Sequence, residues 1–239
     1  MRAIFDELLI FEQINPGNQL TFADSKMYHV IKVARTRVGE EVLILDGNGH
    51  TVLTTVLKID AGSVILEVKE KKIHTQEILL HLALGLPKKE ALETIIRSCV
   101  EIGINKIIPL KTRYSQLNEV KKTKRMELII ENAMIQSNNP FRSKIDPTIN
   151  LDELERKFDQ YDKLFYFSST KKNDCSLSPI GPEEKVLFII GPEGGFALEE
   201  EDQICNNKSI NTIHLSTPIL RAPTAACVAA GLIHGLRQF

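Results

Sequence analysis

The residues best placed for chemistry lie in the short run Gly191-Pro-Glu-Gly-Gly195. Pro192 fixes φ and donates no backbone hydrogen bond, while the glycines tolerate positive φ and let another molecule approach the main chain closely. Their spacing matches neither the phosphate loop Gly-x-x-x-x-Gly-Lys-Ser/Thr nor the dinucleotide pattern Gly-x-Gly-x-x-Gly. Because the carboxylate of Glu193 would repel a phosphate, the run favours a cationic or zwitterionic ligand, or a hydroxyl donor.

The flanking residues indicate which elements hold this run. Residues 186–190 are an unbroken apolar stretch, typical of a strand buried on both faces of a parallel sheet. The acidic cluster at 199–202 suits the first turn of a helix, where carboxylates oppose the positive end of the helix dipole. In open α/β sheets, ligands bind at bends between such a strand and helix. Taken alone, the pattern favours a ligand-binding loop and a ligand-free tight turn equally.

A second segment decides between these two interpretations. Thr212-Ile-His-Leu-Ser-Thr-Pro-Ile-Leu-Arg-Ala-Pro-Thr-Ala-Ala226 again predicts a strand, an irregular loop and a helix, with Pro223 suited to the first helical position. The strings IIGPEGGF at 189–196 and LSTPILRAPTAA at 215–226 together resemble the paired signature of the RsmE-type ribosomal RNA uridine-N3 methyltransferases, a SPOUT-class family. The second string matches that signature at Leu215, Ile219, Leu220, Arg221, Thr224 and Ala225.

The resemblance implies a fold and an activity. The fold would be α/β: a SPOUT-type, trefoil-knotted parallel sheet with helices on both faces, preceded by a small PUA-like β-barrel domain. The activity would be S-adenosylmethionine-dependent methylation of N3 of a specific uridine in 16S ribosomal RNA, by a cytoplasmic homodimer. The alternation of strands and helices after residue 77 itself predicts a parallel sheet. Only the resemblance implies the knot, since true knots are essentially absent from proteins.

The resemblance also implies which residues hold the cofactor, at the ends of three strands. They are Phe167, Ile190, Gly191, Gly194, Gly195, Leu215, Ser216, Ile219, Leu220 and Ala225.

Arg221 and Glu193 are the candidate catalytic residues. Uracil N3 is a poor nucleophile until it loses its proton, and the charge then spreads to O2 and O4, where a cation would stabilise it. We expect Arg221, beside a cofactor loop, to supply that cation; a phosphate clamp or a salt bridge to Glu193 are its alternative roles. Glu193 and His214 are the candidates for a general base.

Residues 1–71 predict a small β-rich domain. Strands are expected at 41–46, 50–58 and 64–68, with a hairpin turn at Asp46-Gly-Asn-Gly49, where Asp46 serves as a turn residue. A short helix is expected at 24–34. By resemblance to the family's RNA-binding domain, RNA contacts are expected from Arg2, His29, Lys32 and Arg35. Arg142 is expected to contact RNA as a substitute for an arginine that the family pattern has at the position of Asn139.

A polar stretch at 69–77 predicts a linker, which gives domains at 1–71 and 72–239. Beyond it we expect strands at 78–84, 106–110 and 163–167 and helices at 88–102, 121–137, 152–158 and 223–238, with Gly103 capping the first of these helices. The small residues of the last helix suit either a core or a helix-packing interface, and the family's homodimers favour the interface.

Composition limits the remaining possibilities. The net charge of −1 argues against a uniformly basic protein, but residues 88–144 hold twelve Lys and Arg against six Asp and Glu, which is compatible with docking on a phosphate backbone. The four cysteines are scattered, so neither a metal site nor a disulfide framework is predicted. Asp6 and Glu7 argue against a signal peptide. Two alternatives stay open: a SPOUT enzyme with another nucleotide target, and a non-catalytic RNA-binding homologue.

Overall fold

A computed structural model describes residues 2–23, 28, 31, 36–170 and 178–237. The chain divides into two compact units: Met1–Thr75 with Glu131–Arg142, and Gln76–Ile130 with Ser143–Phe239. The assignment of residues 131–142 to the first unit has no counterpart in the sequence pattern. The predicted helix at 24–34, with His29, Lys32 and Arg35, lies outside the described residues apart from Tyr28 and Ile31.

The elements are as follows. The strands are β1 (Arg2–Phe5), β2 (Gln19–Phe22), β3 (Glu41–Leu45), β4 (His50–Ile59), β5 (Val64–Ile73), β6 (Leu79–Gly85), β7 (Lys106–Leu110), β8 (Lys144–Ile145), β9 (Lys163–Ser168), β10 (Lys185–Ile190) and β11 (Ile210–His214). The helices are α1 (Lys89–Ile102), α2 (Lys124–Ser137), α3 (Leu151–Glu155), α4 (Leu198–Asn206) and α5 (Ala222–Gly235), with 3-10 turns at Phe11–Gln13 and Phe158–Gln160.

The first unit is built on a five-stranded sheet in the order β1-β3-β4-β5-β2. Its pairs are antiparallel except for β1 with β3. The strands alternate buried and exposed positions, and their inward side chains form one apolar core. That core comprises Ile4, Phe11, Ile14, Ile31, Val42, Ile44, Val52, Val56, Val64, Leu66 and Val68.

The predicted hairpin is confirmed between β3 and β4. Asp46 is a turn residue: its Oδ1 accepts hydrogen bonds from the backbone N–H groups of Asn48 and His50, and its Oδ2 lies 2.7 Å from His50 Nδ1. Gly47 and Gly49 have φ of +84° and +94°, the left-handed region that favours glycine. The turn therefore forms through local interactions, namely the hydrogen bonds of Asp46 and the positive φ of the two glycines, as its residue types indicated.

The predicted linker at 69–77 is wrong in its first half. Residues 69–73 continue β5: residues 70–73 pair with Leu53 to His50 on β4, and Lys69 lies at a register shift without a partner on β4. The charged side chains of 69–72 are mostly exposed, so their polarity resembled that of a linker although the strand continues.

The second unit contains a six-stranded parallel sheet in the order β11-β9-β10-β6-β7-β8. One face packs on α3 and α4 through an apolar cluster that includes Leu154, Phe158, Leu187 and Ile204. On the other face α5 packs against β10 and α1. The parallel sheet is thus confirmed, and α1 ends as predicted at Gly103, whose φ is +88°.

The last helix buries its small residues within the chain. Ala226, Ala229 and Ala230 are at most 2% exposed, and α5 packs on α1. Small side chains let the two helix backbones approach closely, so these alanines belong to the core. Pro223 lies in the first turn of α5, but as its second residue rather than at the predicted first position, because the helix begins at Ala222. None of the helices that the structure describes is long and apolar enough to cross a membrane.

Candidate active site

The ends of three neighbouring strands frame the candidate site. β11, β9 and β10 are adjacent and parallel, so their carboxyl ends meet at one edge of the sheet. Two adjoining cavities open there, one towards His214 and Leu215 on β11 and the other towards the glycine bend after β10. Both cavities are lined by Phe167, Ser169, Ile219, Leu220 and Ala225.

The glycine bend is held by contacts that only glycine permits. Gly195 has φ of +69°, and its N–H donates to the Pro192 carbonyl over 2.9 Å. Gly85, the last residue of β6, lies directly against Pro192: a Cβ on Gly85 would fall 2.7 Å from the Pro192 nitrogen. Sequence reasoning missed Gly85, although a glycine ending an apolar strand is a recognised signal of close backbone approach.

Glu193 is anchored to the start of α1. Its Oε1 accepts a hydrogen bond of 3.1 Å from the N–H of Lys88, the residue that caps this helix without a side-chain bond of its own. A carboxylate at this end opposes the positive pole of the helix dipole. The expected alternative pairing of Glu193 with Arg221 does not form in the described part of the chain. A general-base role for Glu193 stays a prediction.

Tyr114 occupies the outer side of the bend. A Cβ on Gly194 would lie 3.1 Å from Tyr114 Cβ, so Gly194 leaves room for this aromatic side chain, which is 45% exposed. The neighbouring Arg113 donates its backbone N–H to Glu200 Oε1 over 2.8 Å. The other oxygen of Glu200 accepts from the Ala197 N–H, so one carboxylate joins the start of α4 to the segment after β7.

A hydroxyl cluster fixes the end of β9. The carboxylate of Glu201 on α4 accepts hydrogen bonds from Tyr166 and Ser168, both 2.8 Å, and from Thr170. Burial, and then the hydrogen bond to Glu201, raise the pKa of Tyr166, so its hydroxyl stays protonated and donates. The sequence showed Glu201 only as one of four acidic residues, and nothing in its spacing indicated these partners.

The loop after β11 is far more exposed. Ile219 is 88% exposed although its side chain is apolar, and residues 216–218 are also exposed. Arg221 caps α5 with its backbone and leaves its side chain at the surface beside the second cavity. His214, the other candidate base, places Nδ1 3.2 Å from the Ser168 carbonyl and lines the first cavity.

The structure brings most of the predicted site residues together. Arg221 and Glu193 line the same cavity. Of the predicted cofactor residues, all except Gly194 and Ser216 line one of the two cavities. Cofactor binding by these residues remains a prediction. Their grouping around two adjoining cavities supports it.

Models of two protein families match this chain. The RNA methyltransferase domain matches residues 74–234, and the RNA methyltransferase PUA domain matches residues 29–69. A ribosomal RNA small subunit methyltransferase E from Buchnera aphidicola subsp. Acyrthosiphon pisum is 30% identical over 224 residues, which cover 89% of this chain and 86% of the relative. The chain belongs to the ribosomal RNA small subunit methyltransferase E family.

Other relatives in this family match over nearly the whole chain. The Rickettsia conorii protein of the same name is 27% identical over 231 residues, 94% of this chain and 93% of the relative. The Bacillus subtilis protein is 24% identical over 236 residues, 93% of this chain and 92% of the relative. The match therefore extends through both units and is not confined to the two glycine- and proline-containing loops.

Solved structures agree on the fold of the family. The Neisseria gonorrhoeae methyltransferase E, bound to S-adenosyl methionine, superposes with a TM-score of 0.79 at 22% identity, covering 99% of this chain and 98% of its own. A putative methyltransferase from Legionella pneumophila, in complex with the same cofactor, gives 0.77 at 22% identity, with 98% and 97% covered. The expected SPOUT-type parallel sheet preceded by a PUA-like β domain is confirmed.

Two of the RNA-binding residues expected from the family have partners within the first unit. Arg2 Nη1 lies 2.6 Å from Glu40 Oε2. The guanidinium of Arg142 lies over the Phe5 ring, 5.1 Å from its centroid, and 3.7 Å from Glu131. RNA contact by Arg2 and Arg142 stays a prediction, while His29, Lys32 and Arg35 fall outside the described residues.

Proposed function

We propose that this protein methylates N3 of a uridine in 16S ribosomal RNA, with S-adenosylmethionine as the methyl donor. The observation that carries the proposal is the cavity at the ends of β9 and β10, which has an open glycine main chain on one wall and Arg221 on another. Membership of the methyltransferase E family supports it, because the relatives carry the name of a small-subunit ribosomal RNA methyltransferase.

The residues of the two cavities fit this cofactor. Phe167, Ile190, Leu220 and Ala225 supply an apolar lining suited to an adenine ring, while nothing lies within 4 Å of the position of a Cβ on Gly195. The carboxylate of Glu193 at the rim favours a ligand that carries positive charge. When bound, S-adenosylmethionine supplies a strongly electrophilic methyl group, so the protein's main task is to position the acceptor in line.

Arg221 has the properties needed on the acceptor side. Its guanidinium is permanently charged and exposed at the cavity rim, and the described part of the chain gives it no carboxylate partner. We expect it to stabilise the negative charge that O2 and O4 of uracil acquire as N3 loses its proton. Such charge exists mainly near the transition state, so this contact would act on kcat more than on ground-state binding.

The partners and location follow from the same proposal. We expect the RNA to be read in the assembling or assembled small subunit in the cytoplasm, and the protein to act as a homodimer. The exposed side of α5, which includes Val228 at 39% exposure, is available for that contact. Light scattering of the purified protein tests the dimer: a monomer at micromolar concentration would exclude it.

A deletion strain tests the function directly. Mass mapping of 16S ribosomal RNA from this strain should reveal a single uridine that lacks a methyl group, and a plasmid copy of the gene should restore it. A missing methyl on another type of nucleotide would favour the alternative target. Calorimetry on the purified protein supplies the second measurement, because the non-catalytic alternative predicts no tight binding of S-adenosylmethionine.

A further inference from the structure

A further cavity in the second unit lies outside the candidate active site. Its floor is apolar and is formed by Leu92 on α1, Leu117, Val120 and Met126 on α2. Charged side chains surround the opening: Lys89, Glu93, Glu119, Lys121 and Arg125. The volume is about 380 Å³, which is ample for a flat heterocycle. None of these residues belongs to the cavities at the ends of β9, β10 and β11.

The walls of this cavity are the same segments that contact the glycine bend. Glu193 accepts from the N–H of Lys88, and the next residue, Lys89, lines the cavity. Tyr114 packs on Gly194, and three residues later Leu117 lines the cavity. A strand of RNA whose target nucleotide enters the active site would therefore meet this cavity with a neighbouring nucleotide.

The charge around the opening favours a polyanion. Lys121, Lys122, Lys124 and Arg125 are all exposed. Lys121 pairs with Glu119 at 3.2 Å and Arg125 forms two hydrogen bonds with Glu93, but Lys122 and Lys124 have no ion pair in the part of the chain that the structure describes. Since α2 begins at Lys124, these cations lie at the positive end of a helix dipole, where they cost stability that a bound anion would restore.

We propose that this cavity, which we call the flank pocket, binds a nucleobase of the RNA strand next to the methylated uridine, while Lys122 and Lys124 contact its phosphates. The inference rests on the proposed function, since it takes the substrate to be RNA. Proteins that bind single-stranded nucleic acid combine cations that follow the backbone with side chains against which the bases pack. In the flank pocket the packing surface is aliphatic rather than aromatic. Lys122 and Lys124 belong to the basic region 88–144 that the sequence made compatible with docking on a phosphate backbone, but neither they nor the flank pocket were individually predicted to contact RNA.

Two variants and a matched control test the flank pocket by RNA binding. The probe is an oligoribonucleotide with the sequence around the methylated uridine. Val120→Phe narrows the pocket and should weaken binding about tenfold, the scale of one lost base contact. The double variant K122Q/K124Q should also weaken it and reduce the slope of log K against log salt by about 1.4, since each phosphate contact contributes roughly 0.7 for a single strand. Lys208→Gln, an exposed lysine after α4, is the control and should change neither quantity.

Photocrosslinking locates the base. Oligoribonucleotides with one 4-thiouridine placed beside the target should crosslink to the peptide that contains residues 117–126, and the target position itself should not. Wild-type affinity and salt slope in both variants would overturn the proposal that the flank pocket binds RNA. Crosslinks that map elsewhere would overturn it too. Either result would also be expected if a protein partner, and not RNA, occupied the pocket. Lys122 and Lys124 are exposed, so their substitution should leave the fold intact. The double variant therefore still tests the proposal if Val120→Phe misfolds. Failure of the proposed function is recognised separately: the wild-type protein would transfer no methyl group to RNA.

Discussion

The two loops that frame the candidate site are built differently. The bend at 191–196 is held by distant parts of the chain: Gly85 lies against Pro192, the Lys88 N–H binds Glu193, and Tyr114 packs on Gly194. The loop at 215–221 has local bonds, such as the Thr217 N–H to the Leu215 carbonyl, and Ile219 is 88% exposed. The bend is therefore fixed by contacts with distant parts of the chain, whereas the second loop is largely exposed and has mainly local contacts among the described residues.

This difference has a mechanistic consequence. We expect the fixed bend to lower the entropy cost of ligand binding, because its backbone loses little conformational freedom when a ligand binds. The exposed apolar side chain of Ile219 would lose its contact with water only if a ligand or another molecule packed against it. We expect substitutions in the bend to act through backbone geometry and stability, and substitutions in the second loop to act only on the ligand-bound states.

The largest effect should come from Gly85→Ala, which disrupts the close contact between β6 and Pro192 in the bend. The new Cβ would overlap the Pro192 ring and backbone, atoms that cannot move without shifting β6 or the bend. We expect a loss of about 3 kcal/mol of stability and of cofactor binding, measured by denaturant unfolding and calorimetry. Gly231→Ala, in open space on α5, is the control and should be neutral or slightly stabilising. A Gly85→Ala protein as stable as the wild type would mean that the bend is not held by this contact.

Next in size is Arg221→Ala, which tests the exposed loop. We expect methyl transfer to fall about 100- to 1000-fold, the scale for removing one charge-stabilising donor, with S-adenosylmethionine affinity unchanged. Single-turnover kinetics at two salt concentrations identify the role. A loss in kcat at both concentrations indicates stabilisation of the uracil oxygens, whereas a loss in KM that shrinks as salt rises indicates a phosphate clamp. Wild-type rates would remove Arg221 from the mechanism.

Gly195→Val should have an intermediate effect on the fixed wall. A β-branched residue at φ of +69° is strained by roughly 1–3 kcal/mol, and its side chain would also face the cavity. We expect cofactor affinity to drop about 10- to 100-fold by calorimetry. Gly195→Asn is the matched variant, because asparagine tolerates this backbone region. If the asparagine variant binds S-adenosylmethionine as the wild type does, backbone strain explains the loss in the valine variant. If both variants lose affinity, occlusion of the cavity by the side chain explains it. Unchanged affinity in the valine variant would make the bend only a turn.

The smallest effect is expected for Glu193→Gln. The amide keeps an acceptor for the Lys88 N–H. It loses the attraction between the charge and the helix dipole, about 0.3–1 kcal/mol, and the attraction of the exposed carboxylate for a cationic ligand, which solvent screens. Thermal unfolding should therefore shift slightly, and methyl transfer should stay near the wild-type rate. A drop of 100-fold or more in kcat, without a matching loss of stability, would instead identify Glu193 as the general base.

Much of the fold could be predicted because its signals are local. Periodicity placed the strand at Lys106–Leu110 and the helix ending at Gly103, and turn chemistry placed the hairpin at Asp46. The prediction of a linker at 69–77 was wrong because polarity and pairing disagree there: residues 69–72 are charged, yet residues 69–73 complete β5, and β4 is long enough to pair with residues 70–73. Residues 131–142 joined the first unit without any sequence signal, since a unit boundary inside a helix leaves the helical pattern unbroken.

By itself, the sequence determined two strand-loop-helix units, the residue types in their loops and, through resemblance, the family and its chemistry. Only the tertiary structure decided which distant residues support those loops: Gly85 under Pro192, Glu201 with the hydroxyls of β9, and the pocket between α1 and the start of α2. The physical reason is that these contacts join residues tens of positions apart. Their geometry depends on strand order and register in the parallel sheet, which no local pattern of side chains encodes.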